Sequence, residues 1–386
     1  MNDMVSRLPN MLTFLQDLVE TESPSHDKKA VDRVAALVET ECQRLGARLK
    51  TYPQSDAGDL IEAVFETGSH PLLKPPYGDT SPLSELGILL LCHMDTVFPL
   101  GTLKKMRFRE EDGKIYGPGT SDMKGGIAVA LAAVAGALDS GKLKRRVTAL
   151  FTSDEETGSA ASRRVIESRA RESALVLVLE PGMPDGSIKT WRKGVGDFTV
   201  TVHGRAAHAG GDHEKGRNAI EEMAHQVLPI QKMTDYKKGT TLNVGVIQGG
   251  TVPNAVPAQA SIQVDLRVMQ PGEAERVALA LHALKPVLEG TVIEVTGELN
   301  RPPMPFNEMM KATFERAKSI AESAGLSIKA GGTGGASDGN FVAPLGIPVL
   351  DGLGPVGDGS HSEREFIYKD SLVERAQLVE ALLCNW

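Results

Sequence analysis

Three apolar runs constrain this chain more than any other feature: LGILLLC at 86–92, VTALFT at 147–152 and ALVLVLE at 174–180. A strand that is apolar on both faces needs cover on both sides, which helices supply around a largely parallel sheet. Helical spacing is present around these runs. Val31, Val34, Ala35, Leu37, Val38 and Leu45 recur on one helical face closed by Gly46, a small-residue helix runs from about Met123 to Leu138, and another lies near 159–170. A further β-rich run falls at about 59–66. The stretch GSHPLLKPPYGDTSPLSE at 68–85 is punctuated by proline and glycine and marks a surface loop. The expected fold class is therefore α/β with a mixed, mostly parallel sheet.

After Trp191 the pattern changes, because DFTVTVHG alternates apolar and polar residues as a half-exposed antiparallel strand does. The order from there is strand 197–203, helix 216–232, strands 241–248 and 258–268, helix 272–288 and strand 291–297. This is the β-α-β-β-α-β ferredoxin-like unit. From Arg301 the earlier signals return, with an apolar strand within Val342–Leu350 and a last helix from about Asp370. A chain of 386 residues exceeds one core of roughly 100–200 residues. We read two domains: a discontinuous one at 1–192 and 300–386, and an inserted one at 193–299.

The balance of 42 Lys+Arg against 50 Asp+Glu, net −8, argues against nucleic acid or an anionic membrane as the main partner. The start, MNDMVSRLPNMLTFLQDLVE, lacks the pattern of a secretory signal, and no stretch reads as the roughly 18–20 apolar residues of a membrane span. Cys42, Cys92 and Cys384 match no thiolate metal motif and read as small buried residues in a reducing compartment. A cytoplasmic location is expected.

Chemistry-bearing residues stand at the ends of the apolar runs. The first leads into His93-Met94-Asp95, the second into Ser153-Asp154-Glu155-Glu156, and the third ends at Glu180. In α/β proteins that edge of the sheet is where sites lie. Each taken singly has an ordinary reading: a satisfied strand-end histidine, or a solvated acidic helix start for the triplet. Asp122, in GPGTSDMKGG, can equally be a helix N-cap, and that loop lacks the spacing of a phosphate cradle. The C-terminal part adds His361. Imidazoles with several carboxylates and no thiolate suit zinc, manganese or cobalt, and more than four ligands points to two metals. A dinuclear site about 3.5–4 Å across needs a bridging carboxylate, and one further carboxylate must stay unligated to take a proton. Glu155 and Glu156 can divide the ligand and base tasks.

His93-x-Asp95, Gly119-x-x-Asp122-Met123-Lys124-Gly125, Asp154-Glu155-Glu156-x-Gly158, Glu180-Pro181 and His361-Ser362 together resemble the ordered motifs of the M20 metallopeptidases. That family includes carboxypeptidase G2-like glutamate carboxypeptidases, acetylornithine deacetylase, succinyl-diaminopimelate desuccinylase and aminoacylase-1. The resemblance implies two Zn2+ per subunit, with Co2+ or Mn2+ as substitutes. It implies that Asp122 bridges them, that His93 and Glu180 complete one ligand set, and that Glu156 and His361 complete the other. Glu155 is then the general base and Asp95 the carboxylate that orients His93. It implies that the inserted domain acts as lid and dimerisation domain in a homodimer, with His208 reaching the partner's site. Asn254, Arg267 and Gly335 would touch substrate; Ala336 stands where the family often has Thr. His26, His70, His203, His213, His225 and His282 fit no motif and read as surface or packing residues.

Glu at 180, where several family aminopeptidases and dipeptidases have Asp, implies an N-blocked substrate. The expected activity is hydrolysis of the amide of an N-acyl amino acid or of a C-terminal residue, glutamate carboxypeptidase-like first. A deacetylase or desuccinylase of amino-acid biosynthesis is the alternative, and a metal-bearing binding protein without turnover the remote one. A serine hydrolase is disfavoured, since the one Gly-x-Ser-x-Gly match, Gly335-Ala336-Ser337-Asp338-Gly339, lies in a glycine loop and does not follow an apolar strand as a nucleophile elbow does.

Overall fold

The computed structural model describes residues 4–66 and 86–386, so the loop expected at 68–85, with His70, lies outside the described residues. The chain divides into two compact units: Met1–Trp191 with Phe306–Gly332 and Ser337–Trp386, and Arg192–Pro305 with Thr333–Ala336. The second unit thus runs past the expected end at 299 and takes in the glycine loop. Hydrogen bonds account for this, because Arg192 Nη1 donates to Gly335 O (3.3 Å) and Ala336 O (3.1 Å) and Lys193 N donates to Thr333 O (3.2 Å).

In the first unit a six-stranded sheet has the order Arg48–Tyr52, Leu60–Phe65, Val147–Thr152, Gly87–His93, Ser173–Val178, Val349–Leu350. The last four run parallel, and Leu60–Phe65 is antiparallel to both of its neighbours. Alternation along each strand divides the core. Ile88, Leu90 and Cys92 join the cluster built with helices Met4–Glu20, Lys28–Arg44, Gly125–Asp139 and Lys369–Asn385. Leu89 and Leu91 point to the other face, also fully buried, and helices Arg163–Arg171 and Gly339–Val342 pack beside the strands. Each such side chain removed from water is worth about 1.5–3 kcal/mol.

Helix Gly125–Asp139 corrects one expectation. Residues 120–139 are long and apolar enough to cross a membrane, yet everything from Gly125 to Ala137 is buried inside the unit. A helix apolar all round is a core helix or a span, and here small residues let it pack closely on all sides. Gly126 shows the closeness: a Cβ there would lie 2.0 Å from Leu179 O, the residue before Glu180.

A second correction has a local cause. The apolar stretch 342–350 is strand only at Val349–Leu350, with Val342 ending a short helix, because Pro344, Gly346 and Pro348 break a continuous strand. All three cysteines are free and buried.

The second unit has the four-stranded antiparallel sheet Thr241–Gly249, Gln259–Val268, Gly194–His203, Val292–Arg301, in that order, with helices Ala219–Gln231 and Pro271–His282. Alternate residues Phe198, Val200, Val202, Ile262, Val264 and Leu266 form its core with Met223, Ile230, Val277 and Leu281 from the helices. The second helix stops at His282, short of the expected 288. Pro286 lacks an N–H and disfavours helix at the residue before it, and the amides of Val287 and Leu288 are instead taken by the buried Glu222 carboxylate.

Candidate metal centre

Parallel register sets the site. His93 pairs with Thr152 and Leu91 with Val178, so Glu180, two residues past Val178, comes level with His93 and Thr152. The chain leaving each end stays tied, with Met94 N donating to Thr152 O (2.8 Å) and Leu179 N to Leu91 O (3.0 Å). His93, the Asp154–Glu156 turn and Glu180 therefore share one edge. The triplet is not a solvated helix start: Asp154 and Glu155 are buried and the Glu156 side chain is 7% exposed. Asp154 is spent on the turn itself, accepting from Ala161 N and Ser162 Oγ.

Asp122 is not an N-cap either. His93 Nε2 lies 3.1 Å from its Oδ1 and 3.4 Å from Glu180 Oε1, while His361 Nε2 lies 3.3 Å from its Oδ2 and 3.2 Å from Glu156 Oε2. The ligand atoms fall into two groups, His93–Asp122–Glu180 and Asp122–Glu156–His361, each within 4.8 Å, with Asp122 in both. His361 reaches in from a loop with φ 64°, a left-handed conformation costly for a side-chain-bearing residue.

Hydrogen bonding tests whether these groups suit a cation. His93 Nδ1 lies 3.0 Å from Asp95 O, a carbonyl that only accepts, so Nδ1 carries the proton. Nε2 then faces two carboxylates, which are also acceptors. A neutral ring cannot satisfy both sides; a positive charge at Nε2 can. Burial pulls the His93 pKa down, but Asp122, Asp95 and Glu180 outweigh it and hold it well above its ordinary value. Asp122 and Glu156 hold His361 up to about 11. Burial opposes ionisation of Asp122, yet His361 and His93 hold it far below the usual carboxylate range. Burial lifts Glu156, whose Oε1 is buried without a hydrogen-bond partner. Divalent cations fit this donor set, taking the place of the protons on the two Nε2 atoms.

Asp95 does more than face His93. Its Oδ1 is 3.4 Å from His93 Nδ1, but its carboxylate also accepts from Glu155 N (3.3 Å) and Glu156 N (3.2 Å) and from Ser25 Oγ (2.7 Å). It thus steadies the turn that carries both glutamates. Ser25 carried no signal in the sequence, since a serine in TESPSHD is an ordinary loop residue. Lys124, part of the Asp122 motif but given no role there, is buried, its Nζ donates to Thr21 O (2.8 Å), and burial brings its pKa down to about 7.

The remaining candidates lie in the second unit, in two places. Ala207–His208 pairs with Ala255–Val256 and Ala209 N donates to Asn254 O (3.0 Å), so His208 and Asn254 are neighbours. The amides of Gly210 and Gly211 donate to His208 Nδ1 (3.1 and 3.0 Å), which puts the ring proton on Nε2 as an outward donor. Arg267 sits at the far end of Gln259–Val268, opposite Val195, toward the end where Arg192 holds Gly335. Eight residues of strand separate the ends, about 26 Å. Its guanidinium is engaged with Asp265, through Nε (3.0 Å) and Nη2 (2.8 Å). His26, His203, His213, His225 and His282 are exposed.

The sequence model of peptidase family M20/M25/M40 matches residues 89–385. Carboxypeptidase G2 of Pseudomonas sp. (strain RS-16) is 30% identical over 388 residues, covering 98% of this chain and 89% of that protein. Aminopeptidase PepT of Bacillus cereus superposes with a TM-score of 0.77 at 21% identity, covering 98% of both chains. Bacillus subtilis YXEP, described as a dinuclear metal binding peptidase from the M20 family, superposes with a TM-score of 0.67 at 14% identity, covering 98% of both chains. At those identities the two structures speak for the fold.

Proposed function

The chain belongs to peptidase family M20/M25/M40 and is a metal-dependent hydrolase; from that premise we propose that it cleaves the amide of an N-acyl amino acid or releases a C-terminal amino acid, glutamate carboxypeptidase-like. The observation that carries this reading is Asp122, whose two oxygens face two separate His/Glu groups. His93, Glu180 and Asp122 would hold one divalent cation and Asp122, Glu156 and His361 a second, zinc being the proposed metal. When bound, such a pair supplies Lewis-acid polarisation of the scissile carbonyl and lowers the pKa of water.

Glu155 takes the proton of the attacking water on its carboxylate and returns it to the leaving nitrogen. Asp95 holds the backbone of that turn so that Glu155 and Glu156 keep distinct tasks. His208, with its proton on Nε2, donates to the oxyanion, and Asn254 beside it assists. The distance between this pair and Arg267 supports a homodimer in which the pair serves the partner's site. Asp265 grips one edge of Arg267, leaving Nη1 for a substrate carboxylate. Glu rather than Asp at 180 supports an N-blocked substrate.

The test uses metal-loaded protein and a panel of acetyl-, succinyl-, formyl-, benzoyl- and peptidyl-amino acids, glutamate and aspartate derivatives first, following free amine. Release from blocked glutamate is expected, and turnover confined to peptides with a free N-terminus would overturn the substrate reading. Glu155→Gln should lower kcat about 10²–10⁴-fold with metal content unchanged. A variant at wild-type rate would remove Glu155 as the base.

A further inference from the structure

Glu365 has no role in the reading above, yet it is the most deeply buried carboxylate bound to the Asp122 loop, with no exposed surface. Its Oε1 accepts from Ser121 N (2.7 Å) and Asp122 N (2.9 Å), and its Oε2 accepts from Gly119 N (3.1 Å). Strand register explains its place. Phe366–Tyr368 pairs antiparallel with Lys114–Tyr116, Phe366 opposite Tyr116, so the residue before Phe366 meets the chain that follows Tyr116.

Those amides need an outside acceptor. Asp122 (φ −120°, ψ 94°) and Met123 (φ −130°, ψ 38°) are not helical, so no regular ladder serves the turn, and buried N–H groups left unpaired are costly. A carboxylate facing three converging N–H groups makes charge-assisted bonds to all of them. The same short segment therefore holds Asp122 twice, His361 at its side chain and Glu365 at its backbone.

We propose that Glu365 is a positioning residue that fixes the backbone of Asp122 so that its two oxygens face the two His/Glu groups, thereby setting the affinity of both cations together. The inference rests on Asp122 being the shared ligand. Displacing an end ligand weakens one group; displacing the shared one weakens both.

Glu365→Gln keeps the side-chain volume and one acceptor oxygen but turns an NH2 toward amide donors. Co2+ affinity of the full chain is measured by chelator competition, with the visible Co2+ spectrum and the circular dichroism of cation-free protein recorded in parallel. Both affinities should fall about 10–100-fold, the spectrum should change, and the cation-free fold should remain. Glu365→Asp, which withdraws the carboxylate by one methylene, should give a smaller loss at both sites. Loading of two Co2+ by the Gln variant with wild-type affinities and spectrum overturns the proposal, as does a loss at one site alone. Failure of both variants to fold also overturns it, making Glu365 a residue of the fold. A wild-type chain that takes up no Co2+ overturns the shared-ligand reading itself, whereas normal loading of wild type and variant alike sinks only the role of Glu365.

Discussion

The two halves of the cluster around Asp122 are built in opposite ways. On one side His93 is 2% exposed and Glu180 8%, each carried at the end of a core strand. On the other, His361 is 53% exposed, on a loop at positive φ, and only its partner Glu156 is buried. One half is held by the sheet, the other by a loop that Glu365 ties down. A buried charge set is costly to leave incomplete, while a half-exposed imidazole is partly screened by water. The two halves should therefore tolerate damage differently.

The largest expected effect comes from His93→Ala. It leaves buried carboxylates without a facing imidazole, and urea unfolding of the cation-free protein should show a loss of about 3–5 kcal/mol. His361→Ala should cost less, because water screens the half-exposed imidazole even though Glu156 beside it is buried. Equal losses would break the comparison.

Asp95→Asn sharpens it, since Asp95 serves both halves, His93 in one and the Glu156 amide in the other. Cation affinity by chelator competition should fall about 10–100-fold at both sites; an effect confined to the His93 side would mean that its hold on the glutamate turn is immaterial.

The smallest effect is expected outside the cluster. Glu222 in the second unit is buried, and the Leu288 and Val287 amides, Gln226 and Thr291 outweigh that burial and lower its pKa. A depressed folded pKa means that the unfolded chain binds the proton first as pH falls. The stabilisation is thus complete above the unfolded value of about 4.3 and is lost as pH drops through the folded value. Glu222→Gln should cost about 1 kcal/mol at neutral pH and flatten the acid limb of a Tm-against-pH curve, with cation affinity unchanged. A change in affinity would show that stability losses anywhere reach the cluster, and the contrast between its halves would lose its meaning.

Much of this was legible beforehand. Apolar runs ending in His93, the Asp154–Glu156 triplet and Glu180 point to one sheet edge, because strands buried on both faces leave few alternatives. Within the triplet, spacing alone could not divide the tasks, and it favoured a solvated turn that the structure buries. The stretch at 120–139 is legible as a small-residue helix, but its membrane-span length is not, because glycines and alanines hide its apolar character behind small side chains. Ser25 and Glu365 were invisible for another reason: each acts through a contact with a residue distant in the chain.

The sequence by itself determined the α/β class, the alternating strands of the second unit and the identity of the groups that bear chemistry, since periodicity and side-chain type are local properties. Only the tertiary structure decided that Asp122 faces two groups at once, that Asp95 steadies the glutamate turn, that Gly335 belongs with the second unit and that Glu365 grips the Asp122 loop. Those facts depend on strand register and on backbone amides seeking acceptors across more than two hundred residues, and neither is written in any local pattern.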